Sequence, residues 1–103
     1  MVRFIAVYPT PTDIEGFERH YFDVHVPLAK RLPGLRKYTV SREVTTLRGS
    51  EPCHFVAALD WDDMDSLNSD FESGLGKQAA QDLDKLEKLC RGVRTAVFEF
   101  EEL

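Results

Sequence analysis

An α+β fold class is predicted for this chain of 103 residues by three observations. Four short segments are rich in the apolar and aromatic residues that favour strands. Two longer segments repeat apolar residues at helical spacing. The segments follow one another as strand, helix, strand, strand, helix, strand, an order typical of an antiparallel sheet with its helices on one side. The chain can build one hydrophobic core but not two, so residues 1–103 are expected to form a single domain.

Local patterns indicate the first strand and the first helix. Residues 3–8 are apolar on both alternating faces and stop before Pro9, as a buried strand does. Thr12 and Glu15 have the spacing of a capping box, so a helix is expected from Asp13 with Thr12 as its cap. One apolar stripe along this helix is expected to face the core and comprises Ile14, Phe17, Tyr21, Val24, Leu28 and Leu32. Pro33-Gly34 ends the element.

Pro27 interrupts this helix near two histidines. Proline has no N–H to bond the carbonyl of Asp23, and it disfavours α geometry at the preceding Val26. The helix is therefore predicted to kink or restart just after His25. His25 falls at the edge of the apolar stripe beside Tyr21. His20 is expected on the opposite margin, because five residues correspond to about 140° around a regular helix.

The remaining elements complete the predicted order. Residues 35–42 alternate polar and apolar side chains, and residues 54–61 are apolar on both faces, so both are expected to be strands. A second helix is expected after Asp62 and Asp63, interrupted at Gly74 and Gly76 and ended by Gly92, before a last strand over residues 95–100. This is the ferredoxin-like βαββαβ pattern, a four-stranded antiparallel sheet with two helices on one face.

Two helices can cover only one face of that sheet. Ile5 and Val7 in the first strand lie opposite Phe4 and Tyr8, and Val56 and Ala58 in the third lie opposite Phe55, Leu59 and Trp61, so whichever face stays uncovered is apolar. An apolar patch of this kind is too large to meet water comfortably, and a symmetric homodimer would cover it with a second copy of the same surface.

Composition limits the range of partners and compartments. The net charge of −5 argues against a nucleic acid or an anionic membrane as partner. No segment resembles a signal peptide or a membrane span, and Cys53 and Cys90 form no paired motif, so a cytoplasmic protein with reduced thiols is expected. Residues 30–48 are mainly basic and residues 60–89 mainly acidic. This segregation would fit two surfaces that orient a partner subunit, or simply a solvated surface.

The motifs around the proline resemble those of the EthD-like proteins. The resemblance rests on Tyr8-Pro9, Phe17, the run from Tyr21 to Leu28, Pro33-Gly34-Leu35, and the later Trp61, Ser66-Leu67, Gly76 and Val93-Arg94-Thr95. It implies a ferredoxin-like domain that pairs into a dimeric α/β barrel. The founding member resembles an accessory to an ether-degrading cytochrome P450 system, and fungal relatives look like dehydratases or decarboxylases of aromatic polyketides. More distant relatives include methylmuconolactone isomerases and cofactor-free monooxygenases acting on polyphenols.

His25 is the leading candidate for catalysis, with Tyr21 as its partner. An imidazole with a pKa near about 6.5 suits acid–base work at neutral pH, and a phenol one turn away could bind a substrate oxygen or orient the ring. A structural role for His25 beside the loosened Asp23 carbonyl is the competing interpretation. Tyr8, Tyr38 and Trp61 are candidates for substrate binding, although ordinary core packing would equally explain them.

No metal or cofactor is expected. The angle between His20 and His25 keeps them off one ligand face, His54 has no acid at ligand spacing, and no phosphate loop or dinucleotide motif occurs.

The sequence is compatible with two functions. One is an enzyme that binds a hydrophobic or aromatic oxygenated metabolite between sheet and helices and moves a proton through His25, as an isomerase or lyase without cofactor. The other is a non-catalytic accessory or carrier protein of an oxygenase system of the ether-degradation type. A purely structural dimer would leave the interrupted helix and its histidine unexplained.

Overall fold

A computed structural model describes all residues from 1 to 103 and shows a four-stranded sheet covered on one face by helices. The strands are β1 (Val2–Tyr8), β2 (Lys37–Val40), β3 (Phe55–Trp61) and β4 (Arg94–Glu99). They lie in the order β2-β3-β1-β4, and all neighbours are antiparallel. The predicted ferredoxin-like fold is thus confirmed, with strand β2 shorter at both ends than the sequence pattern indicated.

The first helical segment consists of α1 (Ile14–His20), a π-helical turn over Tyr21–His25, and α2 (Val26–Ala29). The side chain of Asp13, not Thr12, caps α1 by accepting a hydrogen bond from the Gly16 N–H at 3.1 Å. The prediction of Thr12 as cap was wrong because its hydroxyl is used elsewhere, lying 3.4 Å from the carbonyl oxygen of Leu89.

The π turn is the structural response to Pro27. The N–H of Val26 bonds the carbonyl of Tyr21 five residues back, so the helix widens by one residue just before the proline. Val26 itself keeps α geometry, with φ −60° and ψ −49°, so the prediction that it would leave the α region was wrong. The predicted disturbance next to His25 is a change of helical pitch that ends at that residue.

The extra residue rotates the buried face of the helix. The regular stripe predicted that Val24 and Leu28 would follow Tyr21 into the core, but Val24 is 46% exposed and Leu28 is only partly buried. The residues one position later, His25 and Ala29, are buried instead, at 8% and 2% exposure. The widened turn therefore carries His25 from the edge of the helix to its inner face.

The second helical segment is α3 (Met64–Glu72) and α4 (Gly74–Cys90). The break predicted near Gly74 and Gly76 is at Ser73, whose extended backbone ends α3 and whose hydroxyl accepts from the Gly76 N–H at 3.1 Å. A Cβ on Gly76 would overlap the carbonyl oxygen of Asp70, so only glycine allows the end of α3 to lie this close to α4.

The core lies between the helices and one face of the sheet. Strands β1 and β3 send alternate side chains into it, and the helices contribute Phe17, Tyr21, Leu67 and Leu86. The strand residues buried there are Val2, Ala6, Tyr8, Phe55, Ala57, Leu59 and Trp61. No helix in the chain has the length and apolarity needed to cross a bilayer.

No helix covers the opposite face of the sheet, which we call the open face. By register, Ile5 and Val7 of β1 lie there beside Val56 and Ala58 of β3 and beside Ala96 and Phe98 of β4. One charged pair is embedded among them: Arg3 donates two hydrogen bonds to Asp60, at 2.7 and 2.9 Å, and the Arg3 guanidinium stacks 4.6 Å from the centroid of Phe100. The side chains that surround this charged pair on the open face are mainly apolar.

Candidate functional site

The π turn brings two histidines to one carboxylate. His20 Nε2 lies 2.7 Å from Asp82 Oδ1, and His25 Nδ1 lies 2.8 Å from Asp82 Oδ2. The expectation that these histidines occupy opposite margins was wrong, because in a π turn residues five apart share one face. Asp82 projects from α4 and is itself buried. We call this group of three residues the His–Asp–His clamp.

The clamp determines which nitrogen of His25 is free. An ionised carboxylate only accepts hydrogen bonds, so Nδ1 of His25 carries the proton that it shares with Asp82. Nε2 makes no hydrogen bond within the protein. Every fully buried side-chain nitrogen or oxygen of the chain has a hydrogen-bond partner. Because Nε2 has none, it is not fully buried and is accessible.

Burial is the main influence on the protonation of His25. Removal of the imidazole from water lowers its pKa below the usual 6.5, while the hydrogen bond to Asp82 opposes this shift in part. The ring is therefore neutral at pH 7 and above, with a lone pair on Nε2. A neutral imidazole whose other nitrogen is held by a carboxylate is the arrangement of a general base.

His25 borders a cavity between the helices and the sheet. Its volume is about 190 Å³, and all but two of the 16 lining residues are hydrophobic, the exceptions being His25 and Gly76. Strands β1, β2 and β3 supply one wall, and the π turn, α2, α3 and α4 supply the others. His25 is the one lining side chain that can exchange a proton near neutral pH.

Three tyrosines supply hydroxyl groups to the wall. The hydroxyls of Tyr21 and Tyr38 lie 2.6 Å apart, and the Tyr21 ring lies between Tyr8 and His25, with centroid distances of 5.5 and 5.3 Å. Burial raises the pKa of Tyr38 to about 12 and raises the pKa values of Tyr8 and Tyr21 above their usual range as well. All three phenols therefore keep their hydrogens and can donate them.

Trp61 is part of the cavity wall, and a second buried acid fixes its orientation. Its indole N–H donates to Asp70 Oδ2 at 2.7 Å, and the same oxygen accepts from the Gly34 N–H at 2.9 Å. A Cβ on Gly34 would lie 3.0 Å from that oxygen and 3.1 Å from Trp61 Cδ1. The Pro33-Gly34 turn is thus tied to the tryptophan, which explains why a glycine stands there.

All five residues selected from the sequence line this one cavity: Tyr8, Tyr21, His25, Tyr38 and Trp61. Their proposed roles in catalysis and binding stay predictions. The His25 ring is not sealed on all sides, whereas a purely structural histidine would be closed in by its neighbours.

The acid that orients His25 was missed. Asp82 lies on the same side of α4 as the apolar stripe, three residues after Ala79 and four before Leu86. A carboxylate on the buried face of a helix needs a buried partner, and this placement was the signal for it.

Comparisons with known proteins agree with this architecture. The family model described as EthD domain matches residues 10–86. An uncharacterised 11.0 kDa protein of Rhodococcus erythropolis, from the thcB–thcC intergenic region, is 30% identical over 84 residues that cover 81% of each chain.

Two solved structures are also similar. An EthD family protein from Bacillus halodurans shares 30% identity, with a TM-score of 0.85 over 98% of this chain and 99% of that one. A mutant form of SnoaB, a cofactor-independent oxygenase from Streptomyces nogalater, shares 20% identity and the fold, with a TM-score of 0.73 over 99% of this chain and 94% of that one. Because the family model covers most of the chain, the protein belongs to the EthD family.

Proposed function

We propose that this protein processes a small hydrophobic, oxygenated metabolite by acid–base chemistry at His25. The observation that carries the proposal is the state of that imidazole: Nδ1 is held by Asp82 at 2.8 Å, and the unpaired Nε2 belongs to a ring that lines a cavity of mainly hydrophobic residues. In this arrangement Nε2 takes a proton from an acidic C–H or O–H bond of the substrate and returns it to another atom. The reaction class is an isomerisation or an elimination, which needs no redox group.

Asp82 acts as a positioning residue in this scheme. Its carboxylate fixes the tautomer of His25 and stabilises the positive charge that the ring acquires when it takes the proton. Tyr21 and its hydroxyl partner Tyr38 serve the substrate oxygen, because phenols that stay protonated can donate to the negative charge that develops there.

Exchange of α-hydrogens in a simple cyclic ketone tests the proposal without knowledge of the natural substrate. 4-Methylcyclohexanone in D₂O at pH 7.5 is followed by proton NMR with and without enzyme. The wild-type protein is expected to accelerate loss of the α-proton signal. The His25→Asn variant keeps a donor for Asp82 but has no basic nitrogen, so it is expected to show only the background rate.

Thermal midpoints of the two proteins are measured in parallel to show that both are folded. Equal exchange rates for wild type and His25→Asn would exclude His25 as the base. Saturable binding of the ketone without any accelerated exchange would instead favour the alternative, a non-catalytic carrier or accessory protein of an oxygenase system.

The assembly proposed with this function is a homodimer formed through the open face. Its support is the row of apolar side chains on β1, β3 and β4 that no helix covers. Ala96 and Thr95 are neighbours in β4, and their side chains point to opposite faces of the sheet. Ala96→Asp is expected to reduce the light-scattering mass at micromolar concentration to that of a monomer, whereas Thr95→Asp keeps the dimer. A monomeric wild-type protein would refute the assembly.

A further inference from the structure

The Tyr8 hydroxyl is a second polar group in the cavity, beside Nε2 of His25, that has no partner in the protein. Tyr8 is 1% exposed, yet its hydroxyl makes no hydrogen bond to any other group of the chain. Because every fully buried side-chain oxygen of the chain has a partner, the unpaired Tyr8 oxygen is accessible, and the cavity is the space that Tyr8 lines. An accessible hydroxyl without a partner in the protein is free to donate its hydrogen to the oxygen of a ligand in the cavity.

The tyrosine pair leaves a second hydrogen available. Tyr21 and Tyr38 share one hydrogen bond between two hydroxyls. Whichever of them donates, the other keeps its own O–H hydrogen, and the structure offers that hydrogen no acceptor. The cavity thus presents two phenolic donors, together with one basic acceptor at Nε2 of His25.

Charge excludes one large class of ligands. No lysine or arginine lines the cavity, and burial keeps the His25 imidazole neutral. A carboxylate or phosphate would have to leave water without a cation to pair with, which is strongly unfavourable.

The volume of the cavity indicates how large a group it can hold. The cavity volume of about 190 Å³ is below the range of roughly 300–1,000 Å³ that is usual for ligand pockets. It slightly exceeds the roughly 150 Å³ of an apolar cavity that accepts benzene. One ring with small substituents therefore fills the space.

We infer that the ligand is a neutral, single-ring molecule that carries a hydroxyl or an enolisable carbonyl, and that its oxygen accepts a hydrogen bond from Tyr8. The acidic hydrogen of the same ligand then faces Nε2 of His25. This inference rests on the proposed function only in placing the ligand in the same cavity.

Three matched probes test the ligand class by isothermal titration calorimetry at pH 7.5. p-Cresol has the inferred chemistry, toluene lacks the hydroxyl, and 4-methylbenzoate has a carboxylate in its place. Wild-type protein is expected to bind p-cresol more tightly than toluene and to show no measurable heat with 4-methylbenzoate. Tyr8→Phe keeps the ring and removes the hydroxyl. It should weaken p-cresol about three- to tenfold, the effect of one lost hydrogen bond, and leave toluene within about twofold.

Several results would overturn the inference. They are tight binding of 4-methylbenzoate, an equal loss for toluene and p-cresol in Tyr8→Phe, an unchanged p-cresol affinity in that variant, or no binding of p-cresol to the wild type. The ketone-exchange assay tests a separate claim. If p-cresol bound with the expected dependence on Tyr8 but the ketone showed no accelerated exchange, the ligand class would stand and the acid–base role of His25 would be rejected.

Discussion

Replacement of Asp82 by asparagine removes the centre of the His–Asp–His clamp. The carboxylate accepts one hydrogen bond from each histidine, at 2.7 and 2.8 Å, and is 5% exposed. Asparagine has the same shape but only one acceptor oxygen. Its amide group must therefore face one of the two histidine nitrogens, which has to surrender its proton or lose its bond.

The cost follows from the number of bonds affected. One hydrogen bond to a charged group contributes roughly 1.5–3 kcal/mol, and the second bond survives in a weaker, neutral form. Relief of the buried negative charge offsets part of the loss. We therefore expect Asp82→Asn to lower the free energy of unfolding by about 2 kcal/mol, a large share of the roughly 5–15 kcal/mol typical of a domain.

Urea denaturation followed by circular dichroism measures this change, and Asp84→Asn is the matched control. Asp84 is an exposed acid two residues further along the same helix, so its replacement should alter stability by less than about 0.5 kcal/mol. If both substitutions changed the free energy of unfolding by the same small amount, the clamp would not form. The proposed tautomer of His25 would then have no structural basis.

Three further predictions concern other parts of the structure. The pKa of His25 is lowered in the folded state, so the unfolded chain binds this proton more readily, and the free energy of unfolding is expected to fall as the pH drops below about 6.5. His25→Asn should flatten that part of the curve of stability against pH. An unchanged slope in this variant would contradict the lowered pKa. Gly34→Ala should lower the free energy of unfolding by about 1–3 kcal/mol, because the alanine Cβ would lie 3.0 Å from the Asp70 oxygen that also accepts the hydrogen bond of Trp61. An unchanged free energy of unfolding in urea titrations would show that the turn is not close-packed. Arg91 ends α4 in a left-handed conformation with φ 57°, which glycine adopts without steric cost. Arg91→Gly should therefore raise the thermal midpoint by a few degrees, and a lower midpoint would count against this geometry.

The succession of strands and helices along the chain was accessible from sequence because alternation and turn residues are local signals. Strands β1 and β3 are apolar on both faces, and their predicted extents agree with the structure to about one residue. The cap of α1 was not accessible in the same way. Thr12 and Asp13 both suit that role, and the choice depends on the position of the Leu89 carbonyl, which only the folded chain provides.

The site was predictable only in part. Aromatic residues and a histidine near a proline indicated a pocket, and five such residues do line one cavity. A constant angle of 100° per residue cannot describe a turn that contains an extra residue, so the relation between His20 and His25 was misjudged. Asp82 was overlooked because an isolated acid in a helix usually faces solvent, and its burial depends on two histidines about 60 residues earlier.

The proposed function depends on an unprotonated Nε2 of His25 that faces a ligand in the cavity. Nitrogen-15 NMR of the histidine rings measures this directly in wild-type protein at pH 7.5, during a titration with p-cresol. We predict that Nδ1 of His25 carries the proton before and after addition of ligand, and that the Nε2 resonance is of the unprotonated type and shifts as p-cresol binds. A proton on Nε2 in the free protein, or an Nε2 resonance that does not respond to bound ligand, would contradict the account.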